Sequence, residues 1–181
     1  MRFFLFYFAV IGWTIALIVH ILSLFDIDST EKFPYLLLLH VGIFVVWLPA
    51  ILKIKKNKVL EEYKKNNTIK RINPIPFFKV LSKNTPKILT TIAICSFFYA
   101  FINFILFFLS NPGQTTIIEG HYFLTNKGQI IKTLTQQQYH HYNALNVRGF
   151  SGHWMLFYSL AALILYPYQT ISTSSQETNP Y

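Results

Sequence analysis

Two histidines fall where an imidazole could do chemistry inside a membrane. His20 lies five residues before the end of the apolar run Phe3–Phe25, and His40 six residues after the start of Pro34–Leu52. At about 1.5 Å rise per residue, both rings come roughly 7–9 Å below the same boundary. Helices joined by a short loop run antiparallel, so the two rings are expected side by side. Asn103, in a third apolar run, reaches a similar depth of about 10 Å. Polar groups at such depth either mark a functional site or satisfy one another by hydrogen bonds across helices. Two imidazoles facing a flat cleft could ligate haem, and either could bind a transition metal. A proton or quinone site is a further alternative, and the lack of any Asp or Glu in the apolar runs weakens a pump-like reading.

A second concentration of special residues is Arg148-Gly149-Phe150-Ser151-Gly152-His153-Trp154. Its two glycines admit close backbone approach, Trp154 suits an interfacial belt, and Arg148 has Asp26, Asp28 or Glu119 as partners. Together with His121 and His141, the residues Arg148, Ser151, His153 and Trp154 form a candidate outer-mouth site. His121, His141 and His153 could assemble a metal site, although no Cys or paired carboxylate accompanies them. His140 and His141 are adjacent and so point about 100° apart, unlike the i,i+4 pairs of zinc-binding helices. No nucleophile–base set and no phosphate loop is present, so no catalytic residue is assigned. Cys95 reads as a small apolar side chain.

The elements that must position these residues are four runs without Asp, Glu, Lys or Arg. They are Phe3–Phe25, Pro34–Leu52, Ile88–Ser110 and Phe150–Tyr168. Runs of about 18 or more such residues can cross the hydrocarbon core as helices. Composition agrees, with 52% hydrophobic, 18% aromatic and only 13% charged residues in 181, against about 25% charged in soluble domains. The expected fold is an all-α membrane protein, a four-transmembrane-helix bundle spanning about 3–25, 34–54, 86–110 and 150–168. The first run is too long and lacks the cleavage pattern of a secretory signal, and reads as a retained span.

Charge orients the bundle. Between Lys53 and Lys87 stand eleven Lys or Arg and two acids, a net +9 that equals the formal charge of the whole chain. Lys and Arg are retained on the cytoplasmic side, which puts the 53–87 loop and both termini inside and the 111–149 loop outside. Lys53, Lys55, Lys56, Lys79, Lys83 and Lys87 are expected at anionic headgroups, each contributing about 1 kcal/mol near such a surface. In this loop Val59–Lys65 suits a short charged helix and Pro76–Leu81 an interfacial segment. The basic residues border spans rather than a nucleic-acid fold, so nucleic acid is not the expected partner.

Small residues mark the packing faces. Ala9, Gly12, Ala16 and His20 share a ridge of the first span, and Ala93, Ser96, Ala100, Asn103, Phe107 and Ser110 form one seam of the third. Membrane helices associate through such residues, so the two stripes are expected to meet. Phe97, Phe98, Phe104 and Phe108 are left to lipid, and Pro49 is expected to kink the second span. The 111–149 loop is too long for a bare connection. Gly120–Thr125 and Gln129–Leu134 read as strands around an Asn126-Lys127-Gly128 turn. Thr135 and Gln138 form a capping box for a helix to about Asn146, which completes a small ββα extracytoplasmic cap.

The expected location is a bacterial inner membrane, and three functional readings follow. The first is a non-enzymatic accessory or complex subunit whose cap and basic loop contact a membrane protein partner. The second binds haem or a metal through the outer-leaflet histidines. In the third, an immunity or resistance protein uses the cap against an external toxin.

Overall fold

A computed structural model of the chain describes residues 2–56, 79, 82 and 84–167. Helix α1 spans Arg2–Leu24 and a four-residue α2 spans Ser29–Lys32. A 3-10 turn at Pro34–Leu37 leads into α3, Leu38–Lys55, and α4 spans Lys87–Ser110. Three segments are long and apolar enough to cross a membrane: Phe3–Leu24, Pro34–Lys55 and Lys87–Ser110. They make the chain a multi-pass membrane protein in contact with lipid. Their outward stripes are apolar, with Ile11, Ile15 and Ile18 on α1, Val41, Phe44 and Leu48 on α3, and Phe98, Phe101 and Phe108 on α4 all exposed. The expected Val59–Lys65 helix, most of the Pro76–Leu81 segment and Lys83 lie outside the described residues.

Three antiparallel strands follow α4: β1 Gln114–Ile118, β2 His121–Asn126 and β3 Gln129–Leu134, in that order across the sheet. The cap is therefore three-stranded rather than a two-stranded hairpin. Each hairpin closes with two residues at positive φ, Glu119-Gly120 and Lys127-Gly128, the backbone whose twist matches paired strands. Pairing slips between Leu124 and Thr125, which gives β3 an irregular register there. Leu124 and Leu134 are the buried residues of the sheet.

The last helix, α5, runs unbroken over 30 residues, Gln136–Leu165, about 45 Å. The sequence suggested a cap helix ending near Asn146 and a separate span from Phe150. The two are one rod, because nothing in Val147–Gly149 caps a helix end or begins a turn. Its start is the expected capping box, with Thr135 Oγ1 accepting from Gln138 N and Gln138 Oε1 from Thr135 N.

Helix α5 is also the axis of the molecule. Helices α1, α3 and α4 each pack on it, and α1 packs on α3, whereas α1 and α4 make no backbone approach to one another. Both expected small-residue seams are buried at Ala9, Gly12, Ala16 and His20 and at Ala93, Ser96, Ala100 and Asn103. They do not meet each other. Each faces α5, and α1 and α4 are linked by long side chains such as Trp13, whose indole N–H donates to Ser96 Oγ at 3.4 Å. Residues Ala161–Leu165 are all buried. The polar residues of α5 are concentrated in its first turns, Gln136–Arg148, whereas Phe150–Leu165 is mostly apolar.

Glycines set how closely the helices approach. The Tyr158 ring of α5 fills the space beside Gly12 of α1, where an added Cβ would lie 2.5 Å from a ring carbon. Its hydroxyl fills the same role beside Gly42 of α3 and donates to Leu39 O at 2.7 Å. Pro49 lies inside α3 without ending it.

Candidate functional site

The site begins at the end of α1. Asp26 N donates to Ser23 O and Ile27 N to Leu22 O, both at 3.2 Å, with Asp26 at φ 57°. This is a Schellman end, where glycine is the usual left-handed residue. Aspartate there places a carboxylate beside α5: Asp26 Oδ1 lies 3.5 Å from Arg148 Nη2, and Oδ2 lies 3.0 Å from His141 Nδ1. Arg148 Nη2 also donates to Ser23 O. A cation at the C-terminal carbonyls of α1 is favourable, because they carry the negative end of the helix dipole.

One turn deeper lies His20, 3% exposed. Its Nδ1 is 2.8 Å from Ser151 Oγ, and its Nε2 bonds Tyr99 Oη of α4. Ser151 Oγ donates in turn to Arg148 O at 3.2 Å. One assignment satisfies every group: Tyr99 O–H to Nε2, Nδ1–H to Ser151 Oγ, and Ser151 O–H to Arg148 O. In that state the imidazole is neutral and both nitrogens are engaged. Asn103 closes the layer from α4, donating to Arg148 O at 3.1 Å and Gly149 O at 3.5 Å. An added Cβ at Gly152 would collide with the Asn103 amide, so this glycine is what lets α4 and α5 come close enough for that bond.

The remaining sequence candidates separate. His40 is exposed on α3, and its Nδ1 accepts from Trp154 Nε1 at 3.3 Å. His20 and His40 thus have separate partners on α5 rather than each other. Trp154 is 1% exposed, so it packs inside the bundle instead of in an interfacial belt. His153 donates through Nδ1 to Gly149 O at 2.8 Å and meets the Phe104 ring edge-on. His121 is exposed at the start of β2. Of the basic residues expected at headgroups, Lys53 donates to Tyr166 O at 3.2 Å, and Lys55, Lys56, Lys79 and Lys87 are exposed.

Above this layer, α2 docks on the first turns of α5. Asp28 caps α2, with Oδ1 accepting from Thr30 N at 3.0 Å. Its Oδ2 accepts from Asn143 Nδ2 at 2.8 Å, and Asn143 Oδ1 accepts from Thr115 Oγ1 of β1. Asn143 therefore ties loop, helix and sheet together. His140 Nδ1 lies 3.5 Å from Glu31 Oε2 and 3.9 Å from Asp28 Oδ2. Asp28, Glu31 and His140 form the one group of three metal-capable side chains with converging donor atoms among the described residues. A cleft of about 670 Å³ opens beside them, lined by Asp26, His140, His141, Tyr142 and Gln136–Gln138.

Glu31 and Asn143 are not among the sequence candidates, and Asp28 is expected only as a partner of Arg148. The available signal was three acids in the short loop after the first apolar run and two histidines in the outer segment, but separations of more than 100 residues hide their convergence. No known family model, curated protein or solved structure matches this chain.

Proposed function

We propose that the chain is a non-enzymatic subunit or accessory protein of a membrane complex. In this reading α5 is a fourth span. The basic 53–87 loop and both termini face the cytoplasm of a bacterial cell, and the sheet with the first turns of α5 forms an outer head. The contrast between core and head carries the proposal. His20, Ser96, Asn103, Ser151 and Ser159 each make an internal hydrogen bond, which leaves the membrane core occupied with holding itself together.

The head is different. Its two edge strands each carry a pair of exposed isoleucines, Ile117 and Ile118 on β1 and Ile130 and Ile131 on β3, all at least 43% exposed. Exposed edges with apolar side chains are templates for another chain. A protein partner outside the membrane covers them. Photo-crosslinking residues placed at Ile118 and Ile130 in intact membranes test this. A discrete protein adduct is expected, together with co-purification in gentle detergent. Adducts to lipid alone, with the chain purified by itself, would reject a protein partner.

A further inference from the structure

We propose that Asp28, Glu31 and His140 bind one divalent transition-metal ion, of the zinc class, on the outer side of the bundle. The donor atoms of His140, Asp28 and Glu31 converge on one point. His140 Nδ1 lies 3.5 Å from Glu31 Oε2 and 3.9 Å from Asp28 Oδ2, and one ligand atom from each residue falls within 4.8 Å of the others. Ligands at about 2.0–2.2 Å from a tetrahedral ion stand about 3.3–3.6 Å apart, so small side-chain shifts bring all three onto one centre.

Charge points the same way. The Asp28 side chain is 3% exposed, and a buried carboxylate is costly unless compensated. A second carboxylate, Glu31, converges on the same point. A protonated His140 balances one of these negative charges, whereas a divalent ion balances both and uses the neutral imidazole as a ligand. The buried ligand is held in place independently, by Thr30 N on Oδ1 and Asn143 Nδ2 on Oδ2, as outer partners hold metal-binding carboxylates.

Three protein ligands leave a fourth position open, and His140 borders the cleft. The ion would therefore exchange with solvent or take a ligand from outside, unlike a closed structural site. One imidazole and two carboxylates suit zinc, cobalt(II) or manganese(II). Copper(I) prefers sulfur ligands, and calcium prefers more oxygens than are present. His141 stays outside the set, engaged by Asp26 at 3.0 Å.

The test uses the full chain in detergent micelles, stripped with chelator and titrated with Zn(II) and Co(II). One equivalent is expected, with the intense visible bands of tetrahedral Co(II) and a rise in thermal midpoint on adding Zn(II). Glu31→Gln and His140→Ala should abolish the cobalt bands. Asn143→Ala, which frees the Asp28 carboxylate, should weaken binding about 10–100-fold. His121→Ala should bind as the unsubstituted chain does. Glu31 is exposed, so Glu31→Gln keeps the test valid even if the other variants fail to fold. Absence of stoichiometric binding would overturn the proposal, as would binding that survives Glu31→Gln and His140→Ala together, or selective binding of calcium.

Discussion

His20 Nδ1 and Ser151 Oγ stand 2.8 Å apart and join the end of α1 to the middle of α5, 131 residues away in sequence. This bond ties α5 to the buried face of α1. Interhelical hydrogen bonds in membranes average about 0.6 kcal/mol, with a maximum of about 1.7. A double-mutant cycle of His20→Ala and Ser151→Ala, read by thermal or denaturant unfolding in micelles, should give a coupling energy in that range. Full additivity of the two substitutions would deny the bond.

The glycines beside Tyr158 make a sharper prediction. Gly12→Ala and Gly42→Ala should each destabilise by about 1–3 kcal/mol, the usual result of overpacking. Their responses to Tyr158→Phe should differ. The Gly42 Cβ would strike the hydroxyl, and the Gly12 Cβ would strike ring carbons. Removing the hydroxyl should therefore rescue Gly42→Ala and leave Gly12→Ala unrelieved. Equal rescue of both would show that the ring is not seated between α1 and α3 in this way.

Asp26 combines a left-handed backbone with two partners on α5. Replacing it with Gly or Ala removes the same contacts to Arg148 and His141, but only Ala has a Cβ that clashes at positive φ. Asp26→Gly should be more stable than Asp26→Ala by about 1–2 kcal/mol in chemical denaturation. Indistinguishable midpoints would mean that the helix end is not held in this conformation.

Much of the membrane architecture could be read from residue types, because lipid removes most other ways of specifying contact. Between helices in lipid, small residues and hydrogen bonds do the work, so the Ala93–Asn103 seam and the Ala9–His20 ridge are visible as spacing. What they face is not visible. Both face α5, and no property of either stripe names its partner. Strand β1 was missed because Gln114–Ile118 does not alternate and its turn is Glu119-Gly120, without the Asn or Asp that usually announces such a turn. Gly149 and Gly152 read as points of close approach, and they seat Phe107 and Asn103 of α4 against α5. The His140 cluster was hidden for a related reason: a motif search looks for ligands one helical turn apart, and these carboxylates come from the loop after α1.

The central claim is that α5 crosses the bilayer as the core of the bundle, despite being less apolar than α1, α3 and α4. Compartment reporters fused to each end of the chain in turn, with a third inserted at the Lys127-Gly128 turn, test it most directly. The account predicts that both ends report the same side and the turn reports the opposite one. Ends reporting opposite sides would mean three crossings, with α5 outside the membrane, and would contradict it.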